Sequence, residues 1–246
     1  MSVQCGFTEV VWRSTTDAGT PGDDVHIWKL WLPAALSHIG AAASLLNADE
    51  LERAGRYLHE RNKHRFTLSR AMLRCLLAKY TSTRPMAIQF STTGNKKPCI
   101  AGSDLQFNVS HSGDVVLIAI ANEPVGIDVE LVDDGFDFSD VLPISFSRDE
   151  AALVDQFGRE SFYRYWTRKE SLAKASGNGL DSNMQSLPAI DGTQHLNAGI
   201  IESTGSWVVN SFDAAVGYMS SLAYEASEKN VHGYDVSSVF AELLGV

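Results

Sequence analysis

Val125-Gly126-Ile127-Asp128-Val129-Glu130 alternates strictly: Val125, Ile127 and Val129 fall on one face of an extended chain, Gly126, Asp128 and Glu130 on the other. Such a strand aims its two carboxylates the same way, about 7 Å apart. A second acidic piece, Trp166-Thr167-Arg168-Lys169-Glu170-Ser171, has helical spacing, with Phe162, Trp166, Glu170 and Lys174 in one row at i, i+4. Two large aromatics lead that row, so Glu170 points toward the protein. A buried carboxylate must be neutralised by a partner or by its own pKa shift. Three converging carboxylates with a lysine one turn on predict an oxygen-ligated divalent cation beside a phosphate. Singly, each piece has a plainer reading: Asp128 and Glu130 as solvent-facing strand residues, Glu170 and Lys174 as a surface ion pair.

Working outward, Phe107 to Ser110 reads as a strand leading into the turn His111-Ser112-Gly113-Asp114, and Val115 to Ala121 returns as a buried strand, which makes a hairpin. Further upstream, strands are expected over 1–12 and 25–32. Asn47 with Glu50 forms a capping-box pattern that opens a helix near 48. Helical spacing from Thr67 to Tyr80 predicts a long amphipathic helix with basic residues outside. Arg84-Pro85 stops it, Ile88 to Phe90 is a short strand, and Thr93 to Pro98 a turn. Downstream, Leu131 to Phe138 is an acidic loop, and Ser147 with Glu150 caps a helix over 148–157. Gly177-Asn178-Gly179 ends the Phe162–Ser176 helix. Strands at 195–203, 206–212 and 218–223 precede a last helix near 237–244. Each half thus runs strands, a helix pair and more strands, with a seam near 122–125.

Composition bounds the function. At 246 residues and 44% hydrophobic the chain has enough apolar material for one large domain or two lobes of roughly 120 residues. Its longest fully apolar run, Val115 to Ala121, is far short of the ~20 residues a membrane span needs. No signal-peptide pattern opens the chain, and Cys5, Cys75 and Cys99 are odd in number without metal-ligand spacing, which fits reduced thiols in a cytoplasm. A net charge of −10 argues against nucleic acid as a partner. Residues 53–79 nonetheless hold eight Lys/Arg against one acid, either a polyanion site or a solvated helix face. Nucleotide-binding glycine motifs and a Gly-x-Ser-x-Gly nucleophile are absent.

In order, the chain carries Lys97-Pro98-Cys99-Ile100, Phe107-Asn108-Val109-Ser110-His111-Ser112-Gly113, Gly126-Ile127-Asp128-Val129-Glu130 and Trp166-x-x-Lys169-Glu170-Ser171-x-x-Lys174. This resembles the 4'-phosphopantetheinyl transferases of the larger, two-lobed type that includes the surfactin-synthetase activator. Weaker likeness extends through Arg53 and Tyr57 to Arg65, and through Gly177-x-Gly179-Leu180. The resemblance implies an α+β fold: a pseudo-twofold pair of similar lobes, each an antiparallel-dominated sheet packed on a long helix. Residues 1–123 would form the N-terminal lobe and 124–246 the C-terminal lobe, with coenzyme A in the cleft. It implies transfer of phosphopantetheine from the co-substrate coenzyme A to a serine of an apo acyl or peptidyl carrier protein, releasing 3',5'-ADP. By the same resemblance Asp128, Glu130 and Glu170 hold Mg2+, Glu170 is the general base, and Lys174 neutralises the pyrophosphate. Ser110 and His111 contact coenzyme A phosphates, Arg53 the ribose 3'-phosphate; Arg65 matches in sequence. Lys97 and Pro98 line the adenine side, Trp166 packs, and Lys169 supports phosphate. Glu50 departs from the pattern, standing where a second phosphate-contacting lysine is expected; Phe66, Asn178 and Ser171 depart too. The expected protein is a monomer. A non-catalytic coenzyme A or carrier-binding module and a nucleotide-pyrophosphate hydrolase are the competing readings; the intact carboxylates and Lys174 disfavour the first, and the second gives no reason for Ser110-His111-Ser112.

Overall fold

The alternating stretch is a strand, and so is the apolar run before it. The computed structural model describes residues 1–92, 97–177, 184–197, 199–201, 205–225 and 228–246. In chain order its strands are β1 (Ser2–Phe7), β2 (Trp12–Arg13), β3 (Val25–Trp31), β4 (Phe90–Thr92), β5 (Pro98–Ile100), β6 (Gln106–Ser112), β7 (Val115–Ala121), β8 (Val125–Leu131), β9 (Gly192–His195), β10 (Trp207–Phe212), β11 (Tyr218–Glu225) and β12 (Val231–Asp235). Its α-helices are α1 (Leu32–Ala35), α2 (Ile39–Ser44), α3 (Ala48–Gly55), α4 (Glu60–Tyr80), α5 (Leu142–Ser145), α6 (Arg148–Phe157), α7 (Arg159–Ser176) and α8 (Phe240–Leu244).

Among the described residues, two five-stranded sheets run in the orders β8-β11-β10-β1-β9 and β2-β12-β3-β7-β6, and β4 and β5 form a small ribbon. Pairing is antiparallel except where β1 meets β10 and where β12 meets β2 and β3. The fold is therefore α+β with antiparallel-dominated sheets, each carrying one long helix. The sheets face each other across a core of Val25, Ile27, Leu117 and Ala119 on one side and Ile127, Val129, Val208 and Leu222 on the other. On its outer face the second sheet packs Trp28, Leu30, Val116, Ile118 and Ile120 against Leu68, Met72 and Leu76 of α4. This explains the unbroken apolar run of β7. Its odd-numbered residues enter the core between the sheets and its even-numbered ones the core under α4, so neither face meets water.

The seam expected near 122–125 lies between β7 and β8, which belong to different sheets. The terminal strands cross it. β1 pairs with β10 in the sheet of the second half, and β12 pairs with β3 in the sheet of the first. Edge strands β6 and β8 meet without a backbone ladder: Asn108 Oδ1, Ser110 Oγ and Ser112 Oγ accept from the N–H groups of Ile127, Val129 and Leu131 at 2.9, 3.3 and 3.1 Å. Alternation puts these three polar side chains on one face of β6, where they satisfy backbone donors that an edge strand otherwise leaves unpaired.

Both capping boxes form, Asn47 with Glu50 and Ser147 with Glu150. Several expectations change; the strand expected over 88–90 is displaced to β4, and that over 1–12 breaks into β1 and β2. The helix over 67–80 starts at Glu60, and its basic residues are not all outside: Arg74 is 1% exposed, because Glu50 and the carbonyls of Pro85 and Ile88 take up its guanidinium. β6 continues through His111 to Ser112, leaving Gly113 and Asp114 as the turn; Gly113 has φ +53°, in the left-handed region. Of the strand expected over 195–203, only His195, the last residue of β9, is in a strand among the described residues. The turn at 93–96, Asn178, Gly179 and Leu180 lie outside the described residues. Among the described residues no helix is long and apolar enough to cross a membrane.

Candidate active site

Gly126 decides how closely α7 approaches β8. A Cβ there would lie 2.1 Å from the Ser171 carbonyl oxygen and 2.4 Å from the Ala175 nitrogen, both helix backbone. Only glycine admits the helix at this distance. Two residues along the same face of β8, Asp128 consequently meets Lys174 of α7: Nζ to Oδ1 is 2.6 Å. Lys174 Nζ also lies 3.8 Å from Glu170 Oε2, one turn back. Ser110 Oγ donates to the same Asp128 oxygen at 2.9 Å, and Ser112 Oγ donates to Glu130 Oε2 at 2.8 Å. Each serine of β6 thus bonds one carboxylate of β8 and accepts the N–H of the next residue. Ser110 Oγ, expected at a phosphate, here donates to Asp128, accepts from the Val129 N–H and lies 3.4 Å from Lys174 Nζ.

Negative charge is in excess at this centre. Burial pushes the Glu170 pKa up to about 7 against the pull of Lys174, with Asp128 and Glu130 adding to the rise. Burial, then Asp128, raises Glu130 as well, and the Ser112 bond and Lys174 counter it. Asp128 Oδ2 is buried with no hydrogen-bond partner. Among the described residues no three acids, histidines or cysteines are gathered as a ready ligand set for one ion; a lysine ammonium lies between Asp128 and Glu170 instead. The donor set still fits a hard divalent cation: an orphaned carboxylate oxygen and two carboxyls raised by burial, with neighbouring carboxylates adding to the rise, are what such an ion would relieve.

Beside Glu130 and Ser112 opens a cavity of about 400 Å³ walled by Phe136, Phe162, Tyr163 and Trp166. Trp166 packs as expected: Phe138, Phe162 and Phe146 stack in series, and the Trp166 ring lies nearly parallel to Phe162 at 6.1 Å. Across β6, a second cavity of about 210 Å³ is lined by Arg53, Tyr57, Phe66, Ser69, Arg70, Pro98 and His111. The structure therefore groups Arg53, Pro98 and His111. Arg53 belongs to the last turn of α3 rather than to the basic helix. Packing around His111, and next the Arg65 charge, lower its pKa, so its ring is neutral near pH 7. Arg65 lines a different cavity, with Arg61, His64 and Asp114, and donates to Asn62.

Two expected phosphate or nucleotide contacts are turned elsewhere. Lys169 is fully buried, paired to Glu150 at 2.8 Å and donating to the Met184 and Leu187 carbonyls, so it braces α6 and 184–187 against α7 and has no path to a phosphate. Lys97 donates to the carbonyls of Val125 and Ala175 at 2.9 and 3.2 Å, and burial lowers its pKa to about 8. It fastens the start of β5 to β8 and the end of α7. Sequence reasoning missed two residues. Arg168, 1% exposed, ties α7 to Ser211, Ala189, Gly6 and Asp191. Arg70 faces the second cavity, a position that a helical wheel without the partner strand does not reveal.

Fold and site define an α+β protein of two facing five-stranded sheets, with an acid–lysine centre and a cationic pocket on either side of one strand. Residues 29–123 match the family profile described as 4'-phosphopantetheinyl transferase, N-terminal, and residues 124–216 that of the 4'-phosphopantetheinyl transferase superfamily. The chain is 34% identical over 167 residues to 4'-phosphopantetheinyl transferase HetI of Nostoc sp., covering 64% of this chain and 70% of that protein. It is 30% identical over 156 residues to 4'-phosphopantetheinyl transferase Sfp of Bacillus subtilis, covering 58% and 66%. Over 175 residues it is 29% identical to the mouse L-aminoadipate-semialdehyde dehydrogenase-phosphopantetheinyl transferase, covering 64% and 56%. The matched region thus spans between 56% and 70% of these three relatives. The chain belongs to the 4'-phosphopantetheinyl transferase superfamily, and the activity of that family is phosphopantetheinyl transfer.

Proposed function

We propose that this chain transfers 4'-phosphopantetheine from coenzyme A to a serine of an apo acyl or peptidyl carrier protein, releasing 3',5'-ADP in an Mg2+-dependent reaction. The observation that carries the reading is the Asp128–Lys174–Glu170 cluster with its orphaned carboxylate oxygen and its buried acid held near neutral pH. Asp128, Glu130 and Glu170 are the residues that would hold Mg2+; when bound, the ion supplies charge neutralisation at the diphosphate. Glu170, with a pKa about 7, is matched to accept a proton from the carrier serine at physiological pH. The serine oxygen attacks the pantetheine-side phosphorus, the bond from that phosphorus to the bridging oxygen breaks, and 3',5'-ADP leaves. Lys174 offsets charge that builds on the phosphoryl oxygens. The aromatic-walled cavity beside Glu130 suits the pantetheine arm, and the Arg53–His111 pocket suits the nucleotide. Coenzyme A then spans the two lobes of a single chain, acting as a monomer in the cytoplasm.

The test is the intact mass of an apo carrier protein after incubation with this protein, coenzyme A and Mg2+. A gain of about 340 Da, the mass of one phosphopantetheine transferred in the balanced step above, is expected. EDTA and Glu170→Gln should each abolish it. Coenzyme A binding without transfer to several carriers would favour the binding-module reading.

A further inference from the structure

Beneath α7 the contact with the sheet that holds β8 is not apolar throughout. Leu172, Ala173 and Ala175 join Val3, Val209 and Ala223 in one cluster toward the end of the helix, and Phe162 and Tyr163 belong to another toward its start. Between them lie Thr167, Arg168, Ser211 and Ser221, none more than 1% exposed. The strand register sets Asp128, Ser221 and Ser211 side by side on β8, β11 and β10, so a row of polar side chains runs across the sheet under the helix. Arg168 Nε donates to Ser211 Oγ at 2.9 Å, and Thr167 Oγ1 donates to the Arg164 carbonyl at 3.1 Å. The Ser211–Ser221 and Ser221–Thr167 contacts, 3.1 and 2.9 Å, lie between those two fixed ends. Each hydroxyl has a single proton, so the chain has one direction: Ser211 donates to Ser221, and Ser221 to Thr167. Three more guanidinium bonds, each 2.7 Å, go to the Ala189 and Gly6 carbonyls and to Asp191 Oδ1.

We infer that Arg168 is a positioning residue for the reaction: its guanidinium, fixed on β10, β1 and residues 189–191, sets the rotation of α7 and so where Glu170 and Lys174 stand against Asp128. The inference rests on the transfer reading above. Arg168 and Glu170 are two residues apart, about 200° around the helix. They leave it on opposite flanks, Arg168 toward β10 and β1, Glu170 toward the carboxylates of β8. Turning the helix either way therefore moves both. Apolar contacts tolerate a small turn because their attraction has no direction. A buried guanidinium does not, since each bond it loses leaves charge without a partner. A full charge where an apolar side chain could fill the space is thus accounted for by orientation rather than by stability. Gly126 fixes how near α7 lies to β8, and Arg168 fixes how it is turned.

The experiment compares the unmodified full chain with Arg168→Met, Arg168→Lys and Ser211→Ala in two readouts. One is steady-state transfer to an apo carrier protein, with rates referred to the folded fraction; the other is the amide spectrum of the free protein. Arg168→Met should lower kcat roughly ten- to a hundred-fold, the scale of a misplacement near 1 Å, while KM for coenzyme A moves less than about two-fold. Arg168→Lys, which keeps the charge without the fork, should recover part of kcat. The Asp128 and Val129 amides should shift in Arg168→Met, although Arg168 bonds neither. A kcat unchanged after correction for folding, a loss confined to KM, or β8 amides that stay in place would overturn the assignment. Should Arg168→Met fail to fold, Ser211→Ala decides, because it removes the Nε acceptor with little change of volume: a lower kcat with shifted β8 amides supports the assignment, and any other result overturns it. If the unmodified protein transfers nothing to any carrier, the transfer reading fails, and the amide spectra alone decide whether Arg168 orients α7 on β8.

Discussion

Glu170 shows how far one residue's surroundings alter its chemistry. A free glutamate is ionised well below neutrality, but here burial outweighs the Lys174 ammonium 3.8 Å away and holds the pKa at about 7. The ionised form is the competent base, so kcat/KM should fall about ten-fold per unit as pH drops below 7 and level off above it. A profile flat from pH 5.5 to 8 would remove Glu170 from the role of base. The same shift has a stability consequence of definite sign. Because the folded-state pKa is raised, Glu170 contributes stability below the ordinary carboxylate range and loses it as pH rises through about 7. Glu170→Gln should therefore raise the melting temperature at pH 8 more than at pH 5, while abolishing activity. At this scale the sequence was partly legible. A carboxylate in an aromatic row declares itself by spacing, but Lys169, its neighbour, takes its meaning from Glu150, which only the packing of α6 on α7 brings near.

At the level of elements, the site exists because α7 lies on β8, and Gly126 allows it. Gly126→Val should push the helix off the strand and separate Lys174 from Asp128. A displacement near 1 Å costs on the order of a hundred-fold in rate, so kcat/KM should fall by about that while coenzyme A affinity in the Arg53 pocket changes little. Activity within a few-fold of the unmodified protein would show that the approach is not what sets the site. The pattern in β8 was readable from alternation alone. The role of Gly126 was not, because the clash is with backbone nearly fifty residues away in sequence. Asn108, Ser110 and Ser112 make the same point. Their spacing announces a strand with a polar face, and only the neighbouring edge of β8 shows that this face replaces a ladder. Short elements such as α1, α2, α5 and β12 carry too few residues to establish a period and went unread.

Across the molecule, β1 and β12 each lie in the sheet built mainly by the other half of the chain. Tyr234 stacks on Trp28 at 4.6 Å, and Val236, Phe240 and Leu243 complete the core under α4. The lobes should therefore melt in one cooperative transition, and the separate fragments 1–123 and 124–246 should not fold, as judged by calorimetry and amide dispersion. Phe240→Ala, which empties a position 1% exposed, should cost about 3–5 kcal/mol. Independent melting of the two halves would contradict this. What the sequence by itself determined is local: alternating and helical periods, caps, and the acids and lysine of β8 and α7, because these depend on residues a few positions apart. Tertiary structure alone decided which terminal strand joins which sheet, which arginine faces a pocket, and which lysine is spent on carbonyls. Those outcomes depend on partners far apart in the chain, and burial makes each unpaired charge or N–H costly enough to select among them.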